Sequence, residues 1–462
     1  MEQSTTGAST EATMFTPRAS LAARGCHLRQ LDLFAPIRER VRIAQKTVAH
    51  TPAEKLYDAF ITILTGAQGL VEANTRLRSD VALQRAFGRA ACADQSTIQA
   101  TLNACTDENV AQLAAALTAI YRRHSRGYRH DYAQRRQLLD VDLSGLPCGP
   151  KAALATKGYF AKQRNRRGRQ LGRVLATRYG EVVTDQVFAG TTGLTMALRP
   201  LVEAAEAALG LDEAKRARTI LRVDSGGGSV AEINWLLARG YDIHAKDYSR
   251  QRARKLGRSV AEWLDDPQIP GRQVGWVTVP PTDYVREVRR IAVRWPRKDG
   301  TWEYAVVLST LTAREVPAET GQPPEGAQDH RAVTLAYVRF YDARGGGVET
   351  ALKDDKQGLG LTKRSKKRFA AQQVVVLLGA LAHNVLVWAR HWLAPREPQL
   401  RRYGLKRLVR DVFHVSGFLV CDASGRVTRI VLNHHAPLAR GLARSFDGLL
   451  RPAHLAVNWG QT

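Results

Sequence analysis

From residue 136 onward the apolar residues recur every second position instead of every third and fourth, and that change constrains the fold more than any other feature. "RRQLLDVDLSGL" carries Leu138 and Leu139 into Asp140, Val141 and Asp142, a strand whose two aspartates project from one face near its end. "LGRVLATRYG" and "EVVTDQVFAG" follow as two further strands, joined tightly at Tyr179 and Gly180 as an antiparallel hairpin. A helix over "LTMALRPLVEAAEAALGL" succeeds them. "TILRVDSGGGSVAEINWLLARGYDIHAK" then reads as a strand ending at Asp224, a glycine loop, a helix and another strand. Three strands, a helix, a strand, a helix and a strand make a mixed α/β sheet.

Residues 250 to 335 interrupt that order. "RQVGWVTVP", "REVRRIAVRWPRKDGTWEYAVVLST" and "AVTLAYVRFYD" read as strands, with a turn at Lys298, Asp299 and Gly300 and a Pro/Gly-rich loop at "PAETGQPPEGAQD". The block is therefore expected to be a β-rich insertion. After it, in "YDARGGGVETALKDDKQGLG", three glycines lead into a helix from Val348. Glu349 stands in its first turn, and Lys356 follows seven residues later on the same face.

The flanks have a different character. Residues 29 to 135 read as helical, with Thr51, Pro52 and Glu54 opening one helix. "ADQSTIQATLNAC" offers Ser96 as a cap before a short helix carrying Thr97, Gln99 and Thr101, either a helix-turn-helix reader or an ordinary helical hairpin. The first 28 residues are Ser/Thr-rich without apolar periodicity and are expected to be disordered, with no signal peptide. "VVVLLGALAHNVLVWA" from 374 is short for a bilayer span, contains His383 and Asn384, and reads as a buried helix. The tail from 400 is basic and then forms a hairpin about Ala423, Ser424 and Gly425. The expected divisions are 1–28, 29–135 (helical, DNA-binding), 136–249 and 336–398 (two parts of one core), 250–335 (insertion) and 399–462.

Charge indicates the partner. Lys and Arg number 69 against 43 acids, a surplus of 26 with a pI near 10.3, which favours a polyanion and nucleic acid above all. The runs "KQRNRRGRQLGR" (162–173) and "TKRSKKR" (362–368) offer backbone contacts through Arg166, Arg167, Lys363, Arg364, Lys366 and Lys367, although a charge run is more often a solvated face. Trp295 and Trp302 flank Arg297 and Lys298, where core packing or cross-strand pairing competes with stacking on an unpaired base. The five cysteines have no paired short spacing, so neither a zinc site nor a disulfide framework is indicated and a reducing cytoplasm is expected. Glycines 226 to 228 lack the following lysine of a phosphate-binding P-loop.

Asp142 and Asp224 close apolar strands and Glu349 opens a helix, and the edges of α/β sheets are where ligands sit. Each acid alone reads as a cap or turn residue. Together they suggest a divalent site, since carboxylates crowded without cations repel one another. Mg²⁺ takes one or two carboxylates, and a pair of ions serves in-line displacement at phosphorus. Arg344 and Lys356 would then hold the phosphate backbone.

These residues resemble the DDE insertion-sequence transposases with an RNase H-like core. The likeness rests on "LDVDLSG", "LRVDSGGGSVAEINWLLARGYDIHAK" and "YDARGGGVETALKDDKQGLGL", and is best for the subgroup with a Tyr-Arg-Glu-Lys signature, here Tyr341, Arg344, Glu349 and Lys356. It covers about 136–395, and that subgroup also carries a β-rich insertion before the third acid. The Arg344-to-Glu349 spacing is one residue longer than the commoner pattern, and Asp140 competes with Asp142 as first acid. The resemblance implies an RNase H-like mixed sheet, two Mg²⁺ ions (Mn²⁺ as alternative) on Asp142, Asp224 and Glu349, and strand cleavage at the ends of a mobile element. Transfer of the freed 3′-hydroxyl to target DNA follows. It further implies double-stranded DNA as partner, a homodimer or larger assembly on DNA, no membrane, and a nucleoid-associated cytoplasmic location. The alternatives are a nuclease that only cuts and a non-catalytic DNA-binding descendant.

Overall fold

The computed structural model describes residues 11–47, 49–158, 160, 163, 165–321 and 329–461. It divides into two compact units, one built from Ser125–Pro150 and Leu154–Leu352, the other from Met1–His124, Lys151–Ala153 and Lys353–Thr462.

The first unit is an α/β layer built on a mixed sheet. Its strands are β1 (Gln137–Pro147), β2 (Thr156–Lys157), β3 (Arg167–Ala176), β4 (Glu181–Ala189), β5 (Thr219–Val223) and β6 (Asp242–Lys246), followed by β7 (Leu264–Asp265), β8 (Gln273–Trp276), β9 (Arg289–Pro296) and β10 (Trp302–Ser309). β1, β3 and β4 form an antiparallel meander, and β5 and β6 then run parallel to β1 in the spatial order β4-β3-β1-β5-β6. The two parallel steps need crossovers, supplied by α1 (Leu194–Leu209) and α2 (Val230–Ala238). α1 lays its buried Ala197, Leu198, Leu201 and Val202 near β3 and β4.

The insertion does not stand apart. β10 pairs antiparallel with β6 (Val307 opposite Lys246), β9 with β10 and β8 with β9, so residues 264–309 prolong the same sheet. "AVTLAYVRFYD" is a correction: it lies in α4 (His330–Asp342), not in a strand. Asp329 caps that helix by accepting from the Arg331 amide at 2.9 Å, and Val333, Ala336, Tyr337 and Phe340 meet Leu138, Ile220, Ile291 and Val307 in one core. The last element to begin in this unit is α5 (Thr350–Gly358), and the division between units falls within it.

The second unit gathers both ends of the chain. Strand Ala12–Thr16 pairs antiparallel with Gly417–Cys421, which pairs with Val427–Asn433, which runs parallel to Ala456–Gly460. Helix Ala19–Gln30 follows with ten of its residues buried. The expected disorder through residue 28 is therefore overturned from Ala12 onward: the segment's order comes from a strand partner near the opposite end of the chain. The apolar run from 374 lies in helix Phe369–Leu393, which is long and apolar enough to cross a membrane but is almost wholly buried against helices Pro52–Leu64, Gln95–Ala104 and Asp107–His124. Within it His383 Nδ1 meets Asp355 Oδ1 at 2.8 Å, both buried. The helix thus belongs with the terminal unit rather than with the second part of the sheet core.

Helix Gln95–Ala104 corrects another expectation. Asp94, not Ser96, is its cap, accepting from the Ser96 and Thr97 amides at 2.8 and 3.0 Å. Thr97 donates its hydroxyl to Asp94 at 2.6 Å, Thr101 is buried and donates to Gln45 at 2.6 Å, and Gln99 accepts from Lys366 at 2.6 Å. The side chains expected to read bases are internally engaged, which favours the helical hairpin. All five cysteines are free thiols.

Candidate active site

The sheet register places the first two acids side by side. Val141 of β1 is level with Val223 of β5, and Val223 with Ala245 of β6. One step further along these three parallel strands come Asp142, Asp224 and Lys246. Adjacent strands are about 4.8 Å apart, so the three positions form a row across the sheet's edge. Lys246 was not picked out by the sequence reading. Only the strand register, which sets it level with Asp224, singles it out.

The glycines serve this packing. A side-chain carbon on Gly228 would lie 1.8 Å from the Lys246 carbonyl oxygen, so the loop after Asp224 can close onto β6 only as glycine. The Tyr248 amide then donates to the Gly228 carbonyl at 3.2 Å, while Asp224 accepts from the Gly226 amide at 2.8 Å. Gly347 plays the corresponding part for the third acid. A carbon there would fall 2.5 Å from Asp140 Oδ2, and the turn Gly345–Glu349 thereby brings Glu349 to the strand ends, its side chain 57% exposed.

Asp140 and Asp142 have different surroundings. Asp140 is fully buried and engaged by Arg222, with Nε and Nη2 at 2.6 and 2.8 Å. Asp142 instead faces Arg344, whose Nη2 is 3.8 Å from Asp142 Oδ1 and whose Nη1 is 4.0 Å from Glu349 Oε1. Arg344 is itself buried, donates to the Val141 carbonyl at 3.0 Å and, among the described residues, finds no partner for its Nε. It was expected to meet a phosphate; the structure places it among the acids as their counter-ion. Burial works against its charge, but Asp142 foremost outweighs that and its pKa is raised.

Asp142 titrates abnormally. Burial does most to push its carboxyl up to about 7; Arg344 opposes, and the negative charges of Asp224 and Glu349 add to the rise. Lys246 is lowered by burial against the pull of Asp224, Glu303 and Asp342. The folded protein therefore holds a proton on Asp142 that the unfolded chain releases near 3.8, so this stabilising contribution is complete at low pH and is lost as pH rises to about 7. A shift of that size is on the order of 4 kcal/mol. Denaturant titrations of the metal-free protein across this window should show stability falling with pH, and Asp142→Asn should flatten the fall; an unchanged slope in the variant would assign it to other groups.

The other sequence candidates separate. Tyr341 is half-buried against the α4 core with the Arg344 guanidinium 5.8 Å over its ring, and burial pushes its hydroxyl up to about 12. Lys356 follows two turns after Glu349 on α5, in the part of the helix assigned to the other unit. Arg166, Arg167, Lys363 and Lys367 are exposed. Arg364 and Lys366 are corrections: both are buried, Arg364 donating to the Ala67 carbonyl and Lys366 to Gln99, and burial lowers them to about 9 and about 8. In the run 162–173, Lys162 and Arg164 lie outside the described residues, while Arg169 is buried and Arg173 forms a buried pair with Asp185 at 2.7 Å. Trp295 lies 5.6 Å from the Lys246 ammonium, and Arg294 sits between Trp263 and Trp302 at 4.1 and 4.3 Å, which favours packing over base stacking for both tryptophans.

Among the described residues, no three His, Cys, Asp or Glu side chains stand at metal-ligating spacing. The acids converge electrostatically around Arg344 without closing into a cage. No family model matches the chain, and no curated protein matches it. Among solved structures it is similar to the cryo-EM structure of a piggyBac transposase synaptic complex with hairpin DNA, at 12% identity and a TM-score of 0.42, over 87% of this chain and 82% of that one.

Proposed function

We propose that this protein is a DNA transposase whose sheet-edge acids cleave phosphodiester bonds at the ends of a mobile element and join the freed 3′-hydroxyl to target DNA. The observation that carries the reading is the convergence of Asp142 and Glu349 on the buried Arg344, with Asp224 level with Asp142 on the next strand. Such a site has more negative charge than Arg344 alone offsets, and its donors are hard oxygens suited to Mg²⁺ or Mn²⁺. Asp142, Asp224 and Glu349 would hold the ions. When bound, a pair of such ions activates an attacking oxygen and stabilises the leaving one.

The chain's own residues supply the rest. Arg344, fixed on the Val141 carbonyl, keeps Asp142 and Glu349 on one side of the site. Lys246 sets a positive charge next to Asp224 at the same level. Exposed Arg166, Arg167, Lys363 and Lys367 contact the phosphate backbone, and a dimer or larger assembly holds both element ends in the nucleoid.

The test is purified protein with Mg²⁺ and DNA carrying the flanking repeats of its own locus. Nicks at the repeat boundary, followed by joined products, are expected; cutting without joining would reduce the reading to a nuclease. A second reading, a non-catalytic DNA-binding protein on this fold, draws on the open spacing of the acids among the described residues. It gains if cognate ends are bound and never cut.

A further inference from the structure

The helix after β6, α3 in chain order (Arg250–Arg258), has the sequence RQRARKLGR and contains no acid. Its apolar side is committed: Ala253, Leu256 and Gly257 are buried, and a side-chain carbon on Gly257 would lie 2.3 Å from the Tyr304 ring. Arg252 is paired with Asp247 at 2.6 and 2.7 Å. The other cations, Arg250, Arg254, Lys255 and Arg258, are exposed. Among the described residues no carboxylate comes within ion-pair distance of any of them. With Ser249, Gln251 and Ser259, three of the four line an open recess.

This arrangement works against the helix's own stability. Like charges four residues apart cost a few tenths of a kcal/mol per pair, and a cation in the first turn opposes the helix dipole. A polyanion laid along the face relieves both. The spacing fits a nucleic-acid backbone, because Arg250, Arg254 and Arg258 climb about 6 Å per step at 1.5 Å per residue, close to the rise of two nucleotides at about 3.4 Å each. The helix also starts at the sheet edge that carries the acids. Lys246 ends the row of site positions, Tyr248 bonds to the glycine loop after Asp224 and is 58% exposed, and Ser249 caps the helix by accepting from the Arg252 amide at 3.1 Å.

We propose that α3 is a docking track for the sugar-phosphate backbone of duplex DNA, leading one strand toward the acids. Its direction rests on the function proposed above; the binding surface does not. Contacts of this kind position DNA without reading sequence, so the loss on removing them is uniform across sequences.

The test is duplex binding by fluorescence anisotropy at several salt concentrations, on the full chain and without divalent ion. Each phosphate contact contributes about 0.9 to the slope of log K against log salt, so Arg250→Gln, Arg254→Gln and Arg258→Gln combined should make the slope shallower by roughly 2.7. The triple Lys variant should keep the slope, and a melting temperature for the Gln variant equal to or slightly above wild type shows that folding is not the cause. A Gln variant with the wild-type slope overturns the proposal, as does wild-type protein that prefers anionic lipid vesicles to duplex DNA. A lost slope in a protein that never cuts cognate ends supports the track while removing the transposase reading.

Discussion

Alanine at Asp142, Asp224 or Glu349 should each lower cutting of cognate DNA ends by at least about 10³-fold, roughly 4 kcal/mol of barrier, with duplex affinity changed less than about two-fold. The two readouts separate because the acids face one another, whereas the proposed affinity for DNA rests on the basic surface. Of the three, Glu349 is the cleanest position: its side chain is 57% exposed and its arginine partner, Arg344 at 4.0 Å, keeps the Val141 carbonyl and Asp142 when Glu349 is removed. Asp142→Ala also frees a buried arginine of its nearest acid, so a folding control accompanies it. Cutting that persists in all three variants would show that these acids do not form the site.

Arg222→Met should cost about 3–5 kcal/mol of stability, the order found when one member of a buried ion pair is removed. Arg222 and Asp140 are at most 1% exposed. Beyond its two bonds to Asp140, Arg222 donates to the Phe340 carbonyl at 2.6 Å and lies 5.0 Å over the Phe340 ring, tying β1 and β5 to α4. The glycine turn before Glu349 rests on this pair, so the variant should lose cutting as well. Adding Asp140→Asn should recover part of the stability, because the uncompensated buried charge is then gone. A loss below about 1 kcal/mol in chemical denaturation would contradict this account of the pair.

Local pattern carried much of the fold. The strand-strand-strand-helix-strand-helix-strand order was readable because β1, β3, β4, β5 and β6 are short, largely buried runs bounded by turns and joined by apolar crossover helices, whereas the two-residue β2 carries no such signal. Asp224 was readable as a strand-end acid for the same reason; Asp142, expected to close its strand, instead stands in the middle of β1, one residue past the last parallel pairing with β5, and β1 runs on against β3 to Pro147. Failures occurred where a distant partner decides. "AVTLAYVRFYD" has β-branched and aromatic residues that suit a strand, but Asp329 caps it and its apolar side fits the sheet, so it coils. Residues 12–16 carry no local signal because their order lies in pairing with Gly417–Cys421.

Charge was the least legible property of the site. A run of lysines and arginines does not disclose which members turn inward, and Arg364 and Lys366 are buried where Lys363 and Lys367 are not. The sequence does not show that a buried arginine, Arg344, stands among the crowded acids. Lys246 became visible only once the register set it level with Asp224. The basic helix from Arg250 was overshadowed in sequence by longer runs that the fold partly buries.

Manganese binding followed by electron paramagnetic resonance tests the central claim most directly, since it reads cation capture by Asp142, Asp224 and Glu349 without DNA or turnover. Wild-type protein should remove Mn²⁺ from the free-ion signal, and alanine at any one of the three should abolish or greatly weaken that uptake. Uptake equal to wild type in all three variants would contradict a shared cation site and leave the acids as strand-end caps.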